Sequence, residues 1–132
     1  MLRSIVLLLV VVLSACASTE PGGGEGGVIS GTVIYRERMA LPPQATVTVR
    51  LEDVSRMDVA ADVLAESRFP AESGPPFAFR LDYDPAEITE GRRYALRASI
   101  HLEDRLLFTN TEHIPAFGHE GDVEILVRRT GG

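Results

Sequence analysis

The sequence lacks several residue types, and each absence narrows the functions open to the protein. Its 132 residues include one cysteine, so no disulfide forms within the chain. It has no lysine: all thirteen basic residues are arginines, and nineteen acidic residues bring the formal net charge to −6. This acidic balance argues against nucleic acid as a partner, because phosphate binding needs a basic surface. There is also no tryptophan, and three tyrosines are few for a glycan site built on exposed aromatic rings.

The single cysteine, Cys16, lies directly after a short apolar segment. Arg3 precedes nine consecutive aliphatic residues, 5–13. This run is too short to span a bilayer, which needs roughly 20 residues, and is typical of a secretory signal peptide. The order Leu-Ser-Ala-Cys at 13–16 resembles the lipobox of bacterial lipoproteins. That resemblance implies that residues 1–15 are removed and that Cys16 carries the lipid. The alternative is an ordinary signal peptide that ends at an incidental cysteine.

After the cysteine comes a predicted tether, so that residues 16–27 form the lipidated cysteine and its spacer. Residues 17–27 contain five glycines, one proline and two glutamates, a composition that cannot bury a core. A flexible chain of this length has an r.m.s. reach of ~18 Å. Membrane attachment is therefore expected from acyl chains rather than from charge. Ala17 follows Cys16, and resemblance to lipoprotein sorting in enteric bacteria implies delivery to the outer membrane, facing the periplasm.

Residues 28–130 are expected to form one domain in which apolar residues recur with period two. This pattern is typical of half-buried strands rather than of helices. Four strands are predicted in the clearest segments, and further strands in three weaker ones. The clear segments are 45–53, 76–83, 93–102 and 122–129, and the weaker ones are 28–36, 61–67 and 105–110, with a short edge piece at 111–115. Asp84 and Pro85 are typical of the start of one helical turn.

We therefore predict an all-β fold, a single immunoglobulin-like β-sandwich of about seven to eight strands. A small closed β-barrel is the alternative architecture. Four stretches resemble the YbaY/YscW lipoprotein family: 31–56, 76–88, 92–111 and 122–129. The family takes a name from the YscW pilotin of type III secretion, a lipoprotein that assists secretin assembly in the outer membrane. The resemblance implies a lipobox, a short tether and one β-sandwich, and it brings no known catalytic residues with it.

The sequence contains none of the common catalytic motifs. There is no Gly-x-Ser-x-Gly, no His-Glu-x-x-His and no P-loop, so we predict that the protein is not an enzyme and has no cofactor. The densest polar cluster, residues 111–122, contains His113, His119 and three carboxylates. These residue types bind zinc, but their spacing matches no common metal motif, which favours a solvated loop.

Two features are candidates for partner binding. The first is a basic row formed by Arg93, Arg97 and His101, with Arg80 beside it, which would hold carboxylates of a partner. The alternative is pairing of these arginines with carboxylates on neighbouring strands. The second is the connection at 35–43, where the candidates are Tyr35, Arg36, Met39 and Leu41. Its apolar side chains either cap one end of the sandwich or bind a partner.

These features together predict an outer-membrane lipoprotein that acts by binding. We expect a membrane-anchored, non-catalytic accessory factor in envelope or secretion assembly, with a periplasmic or outer-membrane protein as its client. The alternatives are a small metal-assisted envelope enzyme and a glycan-binding module.

Overall fold

The computed structural model describes residues 26–131, which form two packed β-sheets. The predicted signal peptide, Cys16 and the tether up to residue 25 lie outside the described residues. The strands are β1 (Gly27–Ile34), β2 (Thr46–Asp53), β3 (Asp62–Pro70), β4 (Phe77–Tyr83), β5 (Tyr94–Leu102), β6 (Arg105–Thr109), β7 (Ile114–Pro115), β8 (Val123–Leu126) and β9 (Arg128–Arg129). A 3₁₀ turn at Pro85–Glu87 follows β4, and the Asp84 side chain accepts a hydrogen bond from the Ala86 N–H, as the sequence predicted.

The sheets differ in width. The smaller sheet has the order β4-β1-β8, in which β1 is antiparallel to β4 and parallel to β8. The larger sheet has the order β3-β2-β5-β6-β9, with β7 also paired to β5. The predicted all-β sandwich is confirmed, and the described strands form two separate sheets instead of the alternative closed barrel. The predicted strand at 122–129 is two strands, because the chain passes from the smaller to the larger sheet at Val127.

The core follows the alternation expected from the sequence. Val47, Val49 and Leu51 of β2 are fully buried, and they face Phe77, Phe79 and Leu81 of β4, which are almost fully buried. β8 contributes Val123 and Ile125 to the core through the same alternation of buried and exposed residues. Side chains at successive positions of a strand point to opposite faces, so one apolar residue in two is enough to build this core.

The two ends of the sandwich are formed by different segments of the chain. At the tether end, β1 begins opposite the last residue of β4, because Gly27 pairs with Tyr83. The rings of Tyr83 and Tyr94 pack against Phe117 there, at centroid distances of 5.4 and 5.9 Å. The far end holds residues 35–45, the turn between β5 and β6, and residues 130–131.

No helix in residues 26–131 is long and apolar enough to cross a membrane.

Candidate binding surface

A groove of about 300 Å³ lies at the far end of the sandwich. Its walls combine apolar side chains with polar groups, and two arginines are among the lining residues. The lining residues are Met39, Pro42, Leu102, Leu106, Leu107 and Phe108, with Arg105, Arg129, Thr130 and Gly131. Met39 and Leu106 are 37% and 40% exposed. The far-end groove therefore presents two large apolar side chains to solvent, in a concave site of the kind that binds apolar groups.

Tyr35 holds one wall of the far-end groove in place. Its ring stacks on Phe108 at a centroid distance of 4.8 Å. Its hydroxyl donates to the carbonyl oxygen of Met39 at 2.8 Å. Burial, and then the charge of Glu37, raise the pKa of Tyr35, which keeps this hydroxyl a donor. Leu41 packs against the core. Of the predicted apolar residues in 35–43, Leu41 thus caps the sandwich and Met39 lines the groove.

The opposite wall is held by the last described residues of the chain. The Thr130 hydroxyl donates to the Leu106 carbonyl at 2.8 Å, and the Thr130 N–H donates to the Leu107 carbonyl at 2.9 Å. The Glu37 carboxylate accepts from the N–H of Arg129 at 3.3 Å and from the N–H of Arg36 at 3.1 Å. Backbone hydrogen bonds, led by that of Glu37 itself, lower the pKa of this carboxyl. These bonds connect both walls into one rigid rim.

A second groove, of about 530 Å³, lies on the outer face of the larger sheet near the same end. It is polar, and its floor consists of strand residues with short hydroxyl side chains. Its lining residues are Gln44, Thr46, Thr48, Arg50, Arg68, His101, Glu103 and Asp104. One carboxylate, Glu66, bonds both arginines, at 2.8 Å to Arg50 and 3.2 Å to Arg68. The guanidinium groups in this groove are therefore already partly neutralised.

The predicted basic row on β5 is only partly assembled. Arg97 and His101 lie on the outer face of the larger sheet, and Arg93 directly precedes β5. The Arg97 guanidinium is 3.4 Å from the Glu52 carboxylate, so the alternative of cross-strand pairing applies to Arg97. The placement of Arg80 beside the row was wrong, because β4 belongs to the smaller sheet. The period of a strand indicates which face a residue occupies, but not which sheet the strand joins.

The tether end is closed by a network of hydrogen bonds around Asp53. Its carboxylate accepts from the Ser55 N–H and from Arg92, both at 2.9 Å. The Ser55 hydroxyl in turn accepts from the N–H of Arg93 at 2.7 Å. Hydrogen bonds from Ser55, followed by that from Arg92, lower the pKa of Asp53 from 3.8 to about 2. This network joins the end of β2 to the start of β5.

The polar loop at 111–122 is stabilised by backbone contacts. The ring of His119 hydrogen-bonds the carbonyl of Pro115. The carboxylate of Glu112 is 3.9 Å from Arg128. Within residues 26–131, no three histidine, cysteine, aspartate or glutamate side chains come together as metal ligands.

The sequence did not single out the residues that form most of the far-end groove. Arg105, Leu106 and Arg129 lie on short strands whose alternation is weak, and they come together only because β9 pairs with β6. Asn110 was also missed. It is buried, its side-chain oxygen accepts from the Ala98 N–H at 2.9 Å, and its amide donates to Leu96 and Glu112 carbonyls at 3.2 and 3.0 Å. The only feature of the sequence that could have indicated a role for Asn110 is its place as a single polar residue directly after an apolar strand. The binding role of all the predicted residues stays a prediction.

Three comparisons with known proteins agree with one another. The family described as type III secretion system lipoprotein chaperone (YscW) matches residues 25–127. The uncharacterised lipoprotein YbaY of Escherichia coli strain K12 is 37% identical over 94 residues, which are 70% of this chain and 50% of that protein. The chain thus spans about half the length of this curated relative. A solved structure, of an alternative pilotin from the type II secretion system of Vibrio cholerae, superposes with a TM-score of 0.75 at 34% identity, covering 82% of this chain and 100% of the other.

Proposed function

Because this chain belongs to the YscW family of type III secretion system lipoprotein chaperones, we propose that it is an anchored, non-catalytic chaperone for an outer-membrane client. Its lipid would be carried by Cys16, and its membrane would be the outer one, with the sandwich facing the periplasm. The client would be a protein of the envelope or of a secretion system. The Vibrio cholerae relative, described as a pilotin of a type II system, supports a client of this class.

The observation that carries this proposal is the far-end groove. Met39 and Leu106 are partly exposed apolar side chains that line one concave site together, and a grouped apolar surface of this kind supports a binding role better than apolar residues exposed singly. The groove lies at the opposite end of the sandwich from Gly27, where the chain leaves toward Cys16. A tether at one end and a binding site at the other leave the site free for a client while the anchor raises the local concentration of the two partners.

Anchoring and binding can be tested separately. We expect Cys16→Ser to abolish palmitate labelling and detergent partitioning while the sandwich stays folded. In a strain that lacks the protein, the unanchored form is expected to complement an envelope or secretion defect poorly, although its fold is intact. The matched control is Ser14→Ala, which keeps the cysteine and a small residue before it. Full complementation by the unanchored form would contradict a tethered chaperone.

The non-catalytic part of the proposal has its own test. We expect His101→Ala, His113→Ala and His119→Ala each to complement as well as the parent protein. Loss of function in one of these variants, with normal folding, would favour the metal-assisted enzyme. Metal analysis of the purified protein provides a direct check on that outcome.

A further inference from the structure

The arginines of this protein fall into two groups. Of the twelve in residues 26–131, six have a carboxylate within 4.0 Å. These are Arg50, Arg68, Arg80, Arg92, Arg97 and Arg128. The other six have no such partner within the described residues, and four of these, Arg36, Arg38, Arg105 and Arg129, belong to the far end. Four of the six unpaired arginines thus lie at one end of a protein whose net charge is −6.

Two of the four unpaired far-end arginines line the far-end groove. These are Arg105 and Arg129, while Arg36 and Arg38 precede Met39 along the chain. The carboxylate of Glu37, which lies between Arg36 and Arg38 in the chain, accepts hydrogen bonds from two backbone N–H groups. Glu103 and Asp104 form the neighbouring turn, and both line the polar groove. A guanidinium group binds a carboxylate through two parallel hydrogen bonds, so this rim suits an anionic partner.

The groove also limits how a partner can bind. A volume of about 300 Å³ is at the small end of the range for ligand sites and accommodates one or two large apolar side chains. The adjacent carbonyls of Leu106 and Leu107 already accept hydrogen bonds from Thr130. Addition of a partner strand at this wall would have to displace Thr130, so the groove favours recognition through side chains.

From the charge and the shape together, we infer that the far-end groove binds an acidic peptide segment of the client, in which one or two large apolar side chains are flanked by carboxylates. This inference rests on the proposed function and specifies the chemistry of its client. The apolar side chains would contact Met39 and Leu106, and the carboxylates would pair with Arg105 and Arg129.

The test uses the full-length lipidated protein in phospholipid nanodiscs and three synthetic fluorescent peptides. The first peptide carries leucines flanked by glutamates, the second has lysines in place of the glutamates, and the third has serines in place of the leucines. Binding is measured by fluorescence anisotropy, with empty nanodiscs as the baseline. We expect the first peptide to bind about tenfold more tightly than either of the others. Equal affinity for the glutamate and lysine peptides, or no binding of the first peptide, would overturn the inference.

Matched variants assign the binding to the groove. Arg105→Glu and Arg129→Glu are each expected to weaken binding of the glutamate peptide about tenfold, whereas Arg56→Glu, at an unpaired arginine of the tether end, leaves it unchanged. Leu106→Glu should abolish binding, and Val59→Glu, at an exposed apolar residue of the tether end, should not. If Arg56→Glu is as harmful as Arg105→Glu, the effect is one of net charge, and the groove is not the site.

The inference and the proposed function fail in different ways. If the anchored protein complements its deletion strain but Leu106→Glu complements equally well, the chaperone role stands and its client binds elsewhere. If the unanchored protein complements fully while the peptide preference holds, the groove chemistry stands and the tethered chaperone does not.

Discussion

The two ends of the sandwich are built from the same kinds of residue in different arrangements. At the tether end, Asp53 is engaged by Ser55 and Arg92, and Phe117 packs between two tyrosine rings. At the far end, Arg105 and Arg129 have no carboxylate within 4.0 Å among residues 26–131. At the tether end these contacts join separate segments of the chain, whereas at the far end Arg105 and Arg129 line a groove together with Met39 and Leu106. Variants of the core and of each end test this contrast.

Both ends depend on the shared core, which Phe79→Ala disrupts. The ring of Phe79 is 5% exposed, so its removal leaves a cavity between the sheets and is expected to cost ~3–5 kcal/mol of unfolding free energy. Urea unfolding followed by far-ultraviolet circular dichroism provides the measurement. The comparison variant is Phe117→Ala, at a ring that is 37% exposed, and a smaller loss is expected there. A loss below about 1 kcal/mol for Phe79→Ala would mean that this ring is not on the inner face.

Gly31→Ala tests the parallel contact that joins β1 to β8. A methyl group at this position would overlap the main-chain carbonyl oxygen of Val123, which cannot move without breaking the strand pairing. We expect a destabilisation of about 1–3 kcal/mol, typical of overpacking. Gly26→Ala is the control, since no atom lies within 4 Å of the corresponding position. Equal stabilities of the two variants would contradict the close approach of β8 to β1.

The hydrogen-bond network of the tether end predicts a specific dependence of stability on pH. The pKa of Asp53 is lowered from 3.8 to about 2 in the folded protein, so its stabilising contribution is complete above pH 3.8 and is lost as the pH falls through about 2. Asp53→Asn should therefore be less stable than the parent protein at neutral pH, and the gap should close with acid. Asp122→Asn, at an exposed aspartate, controls for the loss of one charge. A gap that stays constant down to about pH 2 would contradict this account.

The smallest effect on stability is expected at the far end. Leu106 is 40% exposed, so Leu106→Glu should change the free energy of unfolding by less than about 0.5 kcal/mol, even though it removes an apolar side chain from the groove. Thermal unfolding measures the change, with Phe108→Ala, at a ring that is 1% exposed, as the contrasting destabilised variant. A loss for Leu106→Glu comparable to that of Phe108→Ala would show that Leu106 belongs to the core rather than to a binding surface.

Much of the fold was accessible from the sequence, while the binding surface was not. The alternation in β2 and β4 correctly assigned Val49 and Phe79 to the core, because side chains of a strand point to opposite faces in turn. The sequence marked the 35–43 connection as a candidate for partner binding, and within it Tyr35 is buried against Phe108 whereas Met39 is exposed. A pattern in one segment cannot separate these two roles, because they depend on what a distant segment places beside them.

The alternation of the strands, the turn at Asp84 and the acidic net charge were predictable from sequence alone, because each is a property of neighbouring residues or of composition. The same holds for the use of arginine without lysine. Which arginines form ion pairs depends on the tertiary structure. Arg97 meets Glu52 because β2 and β5 are adjacent, whereas Arg105 and Arg129 come together because β9 crosses to pair with β6. Burial alternates every second residue along one strand, so it can be predicted from neighbouring residues. An ion pair needs two charged groups within about 4 Å of each other, and these groups lie on strands that are distant in sequence.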